Sequence, residues 1–171
     1  MKIIFKIVIV LTVYQIIVTI QLKLKRRAVF KLAEARSKLT GKKLVVVGDP
    51  DNGLASKFTG RDYTCGDICV DITGCPGCPN GVKSDLESYL KTIDLNEHII
   101  FISCVIEYIP NITNILKDLT KVPPENLFIV NVQWYNLVCY YYPKFLTGEP
   151  MGSINIMGPN GKYFKNPFTI N

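Results

Sequence analysis

A continuous apolar segment at the N-terminus constrains this chain more than any other feature. The twenty residues from Ile3 to Leu22 read IIFKIVIVLTVYQIIVTIQL, and Lys6 is the single full charge among them. About 20 apolar residues in a helix span the hydrocarbon core of a bilayer, and a lysine this close to the end can extend its amine to the headgroups. The alternative is a core helix of a soluble domain, but such a helix rarely stays apolar on every face over this length. We therefore predict a transmembrane anchor over residues 1–22.

The residues after the apolar segment indicate that the anchor is retained. They also predict on which side of the membrane the domain lies. No small-x-small cleavage site follows, and the chain continues instead into the basic cluster from Lys23 to Arg27. This cluster outweighs Lys2 and Lys6, so the positive-inside rule predicts a cytosolic C-terminal domain. We interpret residues 23–41 as a basic juxtamembrane helix or linker that ends at Gly41 and lies against anionic lipid or in solvent.

The distribution of charge argues against a nucleic-acid partner. The chain has 171 residues and a net charge of +6, but residues 1–43 carry eleven Lys/Arg against one acid. Residues 44–171 carry nine Lys/Arg against thirteen Asp/Glu, which leaves the globular part net negative. Affinity for nucleic acid comes mostly from basic side chains that neutralise phosphates. We therefore expect partner proteins for the soluble domain, and lipid for Ile3–Leu22 and Lys23–Arg27.

Residues 42–171 have the pattern of one α/β domain with a largely parallel sheet. Short apolar runs rich in β-branched residues alternate with helical segments, as is typical of strands covered on both faces. The last segments flank a Gly-Pro-Asn-Gly turn and predict an antiparallel hairpin. The predicted strands are 44–47, 68–72, 99–103 and 127–132, the predicted helices are 54–58, 84–92 and 111–119, and the hairpin pairs 154–157 with 163–170. Ser84 is the predicted N-cap of the second helix, through a capping box with Glu87.

The order of these segments resembles a class I S-adenosylmethionine-dependent methyltransferase over most of residues 43–170. The stretches that carry the resemblance are VVVGDPDNG at 45–53, VDI at 70–72, IFISCVIEYIPN at 100–111 and the terminal hairpin. The resemblance implies a Rossmann-like, methyltransferase-type sheet and an S-adenosylmethionine site. It implies cofactor contacts at Asp49, Asp51, Gly53, Asp71, Asp85 and Glu107, with Asp71 on the ribose, Asp85 near the adenine and Glu107 near the reacting centre.

The sequence departs from that family where the family binds its cofactor. Asp51 and Ala55 occupy positions where the family has glycines that let the backbone approach the cofactor. The interval between Asp71 and Ile99 is long enough for one helix, whereas the family has a helix, a strand and a second helix there. No catalytic set replaces the missing parts, and His98, which opens a strand, is interpreted as structural.

Four of the six cysteines lie between Thr64 and Gly81, in the stretch TCGDICVDITGCPGCPNG. Their spacing admits a zinc site, and Cys75 with Cys78 also admits a redox pair. A strand over 68–72 would separate Cys65 from Cys75 by about 20 Å, because a strand rises about 3.3 Å per residue. We therefore expect a tight turn with packing thiols, and Cys75 and Cys78 are the metal candidates that remain.

Two functions stay open at the level of sequence. The first is a membrane-anchored structural or interaction protein with a degenerate, non-catalytic methyltransferase-like domain and no cofactor. Its compact, anchored design resembles membrane proteins of large DNA viruses, where such a domain could link the capsid to an internal membrane. The second is an active, membrane-tethered methyltransferase that uses S-adenosylmethionine.

Overall fold

The computed structural model describes residues 2–51, 56, 60–106, 109, 112–131 and 136. In chain order the elements are α1 (Lys2–Thr40), β1 (Lys43–Val47), β2 (Ile68–Asp71), β3 (Gly81–Lys83), α2 (Leu86–Leu90), β4 (His98–Ser103), α3 (Ile112–Leu119), a 3-10 turn (Pro124–Asn126) and β5 (Leu127–Val130). The four predicted strands are present and the α/β class is confirmed. The predicted helix at 54–58, apart from Ser56, and the C-terminal hairpin lie outside the described residues.

The strands form one sheet in the order β3-β2-β1-β4-β5, and every neighbouring pair is parallel. β1 lies at the centre, and its Val45 is aligned with Ile68 on one side and Ile100 on the other. This is the order of a doubly wound Rossmann-like sheet, in which the chain first moves outward on one side of β1 and then returns to the other.

Two hydrophobic clusters cover the two faces of the sheet, because alternate strand residues point to opposite faces. On one face, Val45, Ile100 and Ile129 pack against α2, α3 and the segment around Ile106. On the other face, Val46 and Phe101 pack against α1. The members of this second cluster are Leu22, Val29, Phe30, Ala33, Leu44, Val46, Tyr63, Ile99, Phe101, Phe128 and Val130.

Helix α1 is continuous from Lys2 to Thr40, so the apolar segment and the basic segment form one rod. It ends as predicted at Gly41, whose φ of 71° is left-handed and whose N–H donates to the Ser37 carbonyl. Residues 23–41 differ from the linker interpretation, because Val29, Phe30 and Ala33 are buried on the sheet. This half of α1 supplies the packing layer for one face of the sheet.

The interval between Asp71 and Ile99 contains a strand as well as a helix, where the sequence predicted one helix. β3 is a short outer strand paired with β2. α2 begins one residue later than the predicted capping box requires. Its N-cap is Asp85, whose Oδ1 accepts from the Ser88 N–H at 2.8 Å, so the assignment of Ser84 as N-cap was wrong.

Candidate functional site

The carboxyl ends of the parallel strands meet at one edge of the sheet, where β1, β2, β4 and β5 end at Val47, Asp71, Ser103 and Val130. The strand order reverses between β1 and β4, which makes the crevice between them the topological switch point. Ligands of open α/β sheets bind in the crevice at this point. The residues that follow β1 and β4 therefore form the candidate functional site.

Gly48 is the residue that allows the β1 and β4 ends to approach each other. Its φ is +102°, and a Cβ at this position would lie 2.9 Å from the Ser103 carbonyl oxygen. Its N–H donates to the Val70 carbonyl at 2.9 Å, which also ties it to β2. The resemblance had pointed to Gly53, which lies outside the described residues, so the structural requirement for Gly48 was missed.

Cys104 follows β4 directly and has a backbone conformation that is rare for a side-chain-bearing residue. Its φ is +55°, and its N–H donates to the Val130 carbonyl at 2.8 Å. Left-handed non-glycine residues cost free energy and cluster at functional sites. The site therefore contains a strained position beside Gly48. The Cys104 side chain is partly buried.

Asp71 lies where the resemblance placed it, at the carboxyl end of β2. Its Oδ2 accepts from the Asp49 N–H at 3.0 Å, and its Oδ1 accepts from the Thr73 N–H at 2.8 Å and the Thr73 hydroxyl at 2.7 Å. Both carboxylate oxygens thus hold the loops after β1 and β2. Its role as a ribose ligand stays a prediction.

Asp49 and Asp51 shape the loop after β1, and an arginine balances their charge. Asp49 Oδ1 accepts from the Asp51 N–H at 2.9 Å, and Arg61 Nε donates to Asp51 Oδ1 at 2.6 Å. The pKa of Arg61 is raised, chiefly because its guanidinium donates a hydrogen bond to Asp51. Sequence reasoning placed Asp51 at a position where the family has a glycine, and it gave no role to Arg61.

Asp85, the predicted adenine contact, is occupied as the N-cap of α2. The hydrogen bond from the Ser88 backbone lowers the pKa of the Asp85 carboxyl group. Glu107 lies outside the described residues. Of the six predicted cofactor contacts, the structure therefore brings Asp49, Asp51 and Asp71 together, and it places Asp85 after the outer strand β3.

A buried acid pairs with two basic residues of α1 at the same edge of the sheet. The Asp62 side chain is 2% exposed, and its two oxygens lie 3.0 Å from Lys23 Nζ and 3.0 Å from Arg26 Nη1. The sequence assigned Lys23 and Arg26 to a basic segment that lies against anionic lipid or in solvent. In the structure both are directed to the domain, so part of the basic cluster is internal.

Arg26 also connects α1 to the switch point itself. Its Nε donates to Ser103 Oγ at 3.0 Å, and its guanidinium carbon lies 5.0 Å from the Tyr63 ring centroid. The Tyr63 hydroxyl in turn contacts the Gly48 carbonyl oxygen at 3.3 Å. Burial raises the pKa of the Tyr63 hydroxyl, and the nearby Arg26 charge opposes this shift without cancelling it. Asp62 and Tyr63 lie in a polar stretch of the sequence, which gave no signal for the contacts that these two residues make with Arg26.

The direction of α1 places its apolar half beyond the carboxyl edge of the sheet. The helix ends at Thr40, just before β1 begins, and Arg26 lies beside Ser103 at the end of β4, so α1 runs antiparallel to the strands. Among the described residues, α1 is the one helix long and apolar enough to cross a membrane. Large apolar side chains from Ile3 to Ile20 are mostly exposed, for example Ile3 at 74% and Val10 at 65%. A polar contact also reaches this half, in which Gln15 Nε2 donates to Asn136 Oδ1 at 2.6 Å.

The four cysteines between Thr64 and Gly81 lie together, against the sequence expectation. Disulfides join Cys65 to Cys78 and Cys69 to Cys75, so the predicted separation of about 20 Å between Cys65 and Cys75 was wrong. The estimate followed the strand outward from Cys65, but the chain turns after Asp71 and returns alongside β2 before β3 begins. The sulfur atoms of Cys69, Cys75 and Cys78 lie within 4.8 Å of one another.

Comparison with known proteins finds no matching family model, no matching curated protein and no matching solved structure.

Proposed function

We propose that this protein is a membrane-anchored, non-catalytic interaction protein whose α/β domain is held with the carboxyl edge of its sheet toward the bilayer. The observation that carries the proposal is the continuity of α1. A single helix contributes the apolar segment Ile3–Leu22 and also packs on the sheet through Val29 and Phe30. A domain joined in this way has a set orientation to the membrane.

The distance available supports a close approach to the headgroups. The twenty residues of the apolar segment extend about 30 Å as a helix, which matches the hydrocarbon core. Arg26 lies one helical turn beyond Leu22 and already contacts Ser103 at the sheet edge. Arg27 is exposed and Lys25 is half-buried, and these two cations follow the span directly and suit anionic headgroups.

The pairing of polar groups at the switch point supports a non-catalytic role. In the described part of the site, Arg26 is engaged by Asp62, Tyr63 and Ser103, and Asp71 is engaged by Asp49 and Thr73. A bound cofactor would have to compete with these internal contacts. The site then stabilises the domain, and its outer surface serves partner proteins. In the narrower form that the viral resemblance suggests, the partners are capsid components and the membrane is internal to a virion.

The second candidate is a membrane-tethered methyltransferase, and the position of Asp71 at the carboxyl end of β2 favours it. A carboxylate at this place can bind a ribose in Rossmann-like sheets. In this alternative, Asp49 and Asp51 contact S-adenosylmethionine and Asp85 lies near the adenine, while methyl transfer occurs close to the membrane surface.

Titration calorimetry of the full chain in lipid nanodiscs with S-adenosylmethionine separates the two candidates. We expect no binding heat. A dissociation constant in the micromolar range that is lost in Asp71→Ala, while the unfolding temperature of the variant shows it is folded, would establish the methyltransferase alternative and overturn the non-catalytic proposal.

The membrane part of the proposal has a separate test. We expect the full chain to resist alkaline extraction from membranes, and Val10→Lys together with Val13→Lys to release it, because each charge costs about 2.5–3.5 kcal/mol at the centre of a span. Both positions are exposed in the structure, so the substitutions leave the domain intact. Retention of the double variant would contradict the anchor.

A further inference from the structure

The cysteine cluster is a second site, separate from the switch point, and four sulfur atoms converge on it. Those of Cys69, Cys75 and Cys78 lie within 4.8 Å of one another, and that of Cys65 is bonded to Cys78. Cys69, Cys75 and Cys78 are 0%, 3% and 8% exposed. The cluster covers β2 on the same side of the sheet as α1, since Cys69 is aligned with Val46.

The fold explains why the four residues meet. β2 ends at Asp71 and β3 begins at Gly81, and the two strands are parallel. Parallel neighbours need a crossover, which is usually a helix of a dozen or more residues. Residues 72–80 are too few for that, so this crossover folds as a compact turn. The Cys78 N–H donates to the Cys75 carbonyl at 3.0 Å and closes this turn. The Cys69 N–H donates to the Asn80 carbonyl at 3.2 Å and holds the turn to β2.

The spacing and geometry suit a metal ion. Cys65 and Cys69 form a C-x3-C pair and Cys75 and Cys78 a C-x2-C pair, both within the range of structural zinc ligands. A tetrahedral site with Zn–S bonds of about 2.3 Å places its sulfurs about 3.8 Å apart. The sulfurs of Cys69, Cys75 and Cys78 lie within 4.8 Å of one another, and that of Cys65 is bonded to that of Cys78, so all four lie close enough to share one ion once the disulfides are reduced. Four thiolates fill a tetrahedral coordination sphere and leave no open position for substrate, as in structural sites.

We propose that the reduced chain binds one Zn²⁺ through Cys65, Cys69, Cys75 and Cys78. The two disulfides are the form that the same cluster takes after Zn²⁺ is released and two small-molecule disulfides, such as oxidised glutathione, exchange with the four thiols and leave as four thiols. Four thiols lose four protons as Zn²⁺ binds, and no atom changes its oxidation state. Because cytosolic thiols stay reduced, the zinc form belongs to a chain whose domain faces the cytosol. The inference depends on these four residues and is independent of whether the switch point is catalytic.

Arg61 balances the charge of such a site. A zinc ion with four thiolates carries a net charge of −2. Arg61 Nη1 lies 3.5 Å from Cys65 Sγ, and its Nη2 donates to the Gly77 carbonyl, between Cys75 and Cys78, at 2.9 Å. Groups that contact metal ligands in this way change metal affinity by roughly 10–100-fold when they are removed. Arg61 is thus a positioning residue that joins the cluster to Asp51 of the neighbouring loop.

The test is the metal content of the full chain, expressed in a reducing cytosol and purified in detergent with a non-thiol reductant and no chelator. We expect one equivalent of zinc per chain, measured by inductively coupled plasma mass spectrometry. Cys78→Ser should retain less than roughly a tenth of this, whereas Cys104→Ser, which alters a cysteine outside the cluster, should retain all of it. Arg61→Ala should keep the site but weaken zinc in a competition with a chelator by roughly 10–100-fold.

A Co²⁺ titration of the wild-type chain tests the site even if the Cys78→Ser variant fails to fold. Thiolate-to-cobalt charge-transfer absorption that saturates at one equivalent supports the site without any substitution. Absence of zinc and of this absorption overturns the proposal, whether the thiols are found reduced or the intact mass shows the loss of four hydrogens that two disulfides require. Equal zinc in Cys78→Ser and the wild type overturns it as well.

Discussion

The Nε atom of Arg26 donates to the Oγ atom of Ser103 across 3.0 Å, and this contact joins the helix that carries the apolar segment to the last residue of β4. Ser103 lies at the switch point of the sheet, beside Gly48. The anchor and the candidate site are therefore parts of one packed unit.

Removal of α1 should unfold the domain, whereas removal of its apolar half should not. A chain that begins at residue 42 exposes Val46, Phe101 and Phe128, which α1 buries. A chain that begins at residue 21 retains Leu22, Val29, Phe30 and Ala33. Circular dichroism with urea titration should show a cooperative transition for the longer chain and none for the shorter one. A cooperative transition in the shorter chain would restore residues 23–41 as a linker.

Asp62→Ala should lower the free energy of unfolding by about 3–5 kcal/mol, because it leaves two partly buried cations without their shared carboxylate. Lys23 and Arg26 are 14% and 13% exposed in this pair. The measurement is urea unfolding of the chain that begins at residue 21.

Glu34→Ala is the matched control for Asp62→Ala. Glu34 pairs with Lys38 on the same helix, but the two side chains are 40% and 72% exposed. We expect a change of at most about 0.5 kcal/mol for such a surface pair. If the two variants lose equal stability, the network around Arg26 does not stabilise the domain.

The strands could be predicted from the sequence because their signal is local. A strand covered on both faces requires a run such as Leu44 to Val47 or Ile99 to Phe101, and the structure has both. The position of Asp71 at a strand end could also be predicted, because Asp71 follows such an apolar run. The loop after β1 was interpreted through glycines at family positions, so the close approach that requires Gly48 was overlooked.

Helix α1 serves both as the anchor and as a packing layer on the sheet. This double role and the cysteine cluster were not predicted, because both depend on contacts between residues far apart in the sequence. The basic residues of α1 suggested lipid or solvent, although Leu22, Val29 and Ala33 recur on one helix face and were a usable signal for core packing. The large distance predicted between Cys65 and Cys75 assumed that the chain continues as a straight strand. A chain reversal after Asp71 brings Cys75 back to Cys69, and no local pattern specifies where the returning segment will lie.

Gly48→Ala should destabilise the domain more than Gly41→Ala. Both glycines have positive φ, so both substitutions carry the left-handed penalty of about 1–2 kcal/mol. A Cβ at Gly48 would also meet the Ser103 carbonyl at 2.9 Å and Val105 at 3.0 Å, whereas nothing lies within 4 Å at Gly41. Thermal unfolding of the two variants should therefore differ by several degrees, since about 1 kcal/mol shifts the midpoint by about 2–4 °C in a domain of this size. Equal midpoints would mean that β1 and β4 can separate at the switch point without cost.

The native sequon Asn111-Ile112-Thr113 should stay unglycosylated when the full chain is inserted into microsomes, because the basic cluster after the span predicts a cytosolic domain. The mass shift on a gel reports the outcome. The control replaces residues 1–22 with a cleavable signal peptide, which delivers the same domain to the lumen. Glycosylation of the control alone establishes the cytosolic side. Glycosylation of the full chain would place the domain in an oxidising lumen, where the disulfides of Cys65 with Cys78 and Cys69 with Cys75 are the stable form of the cluster.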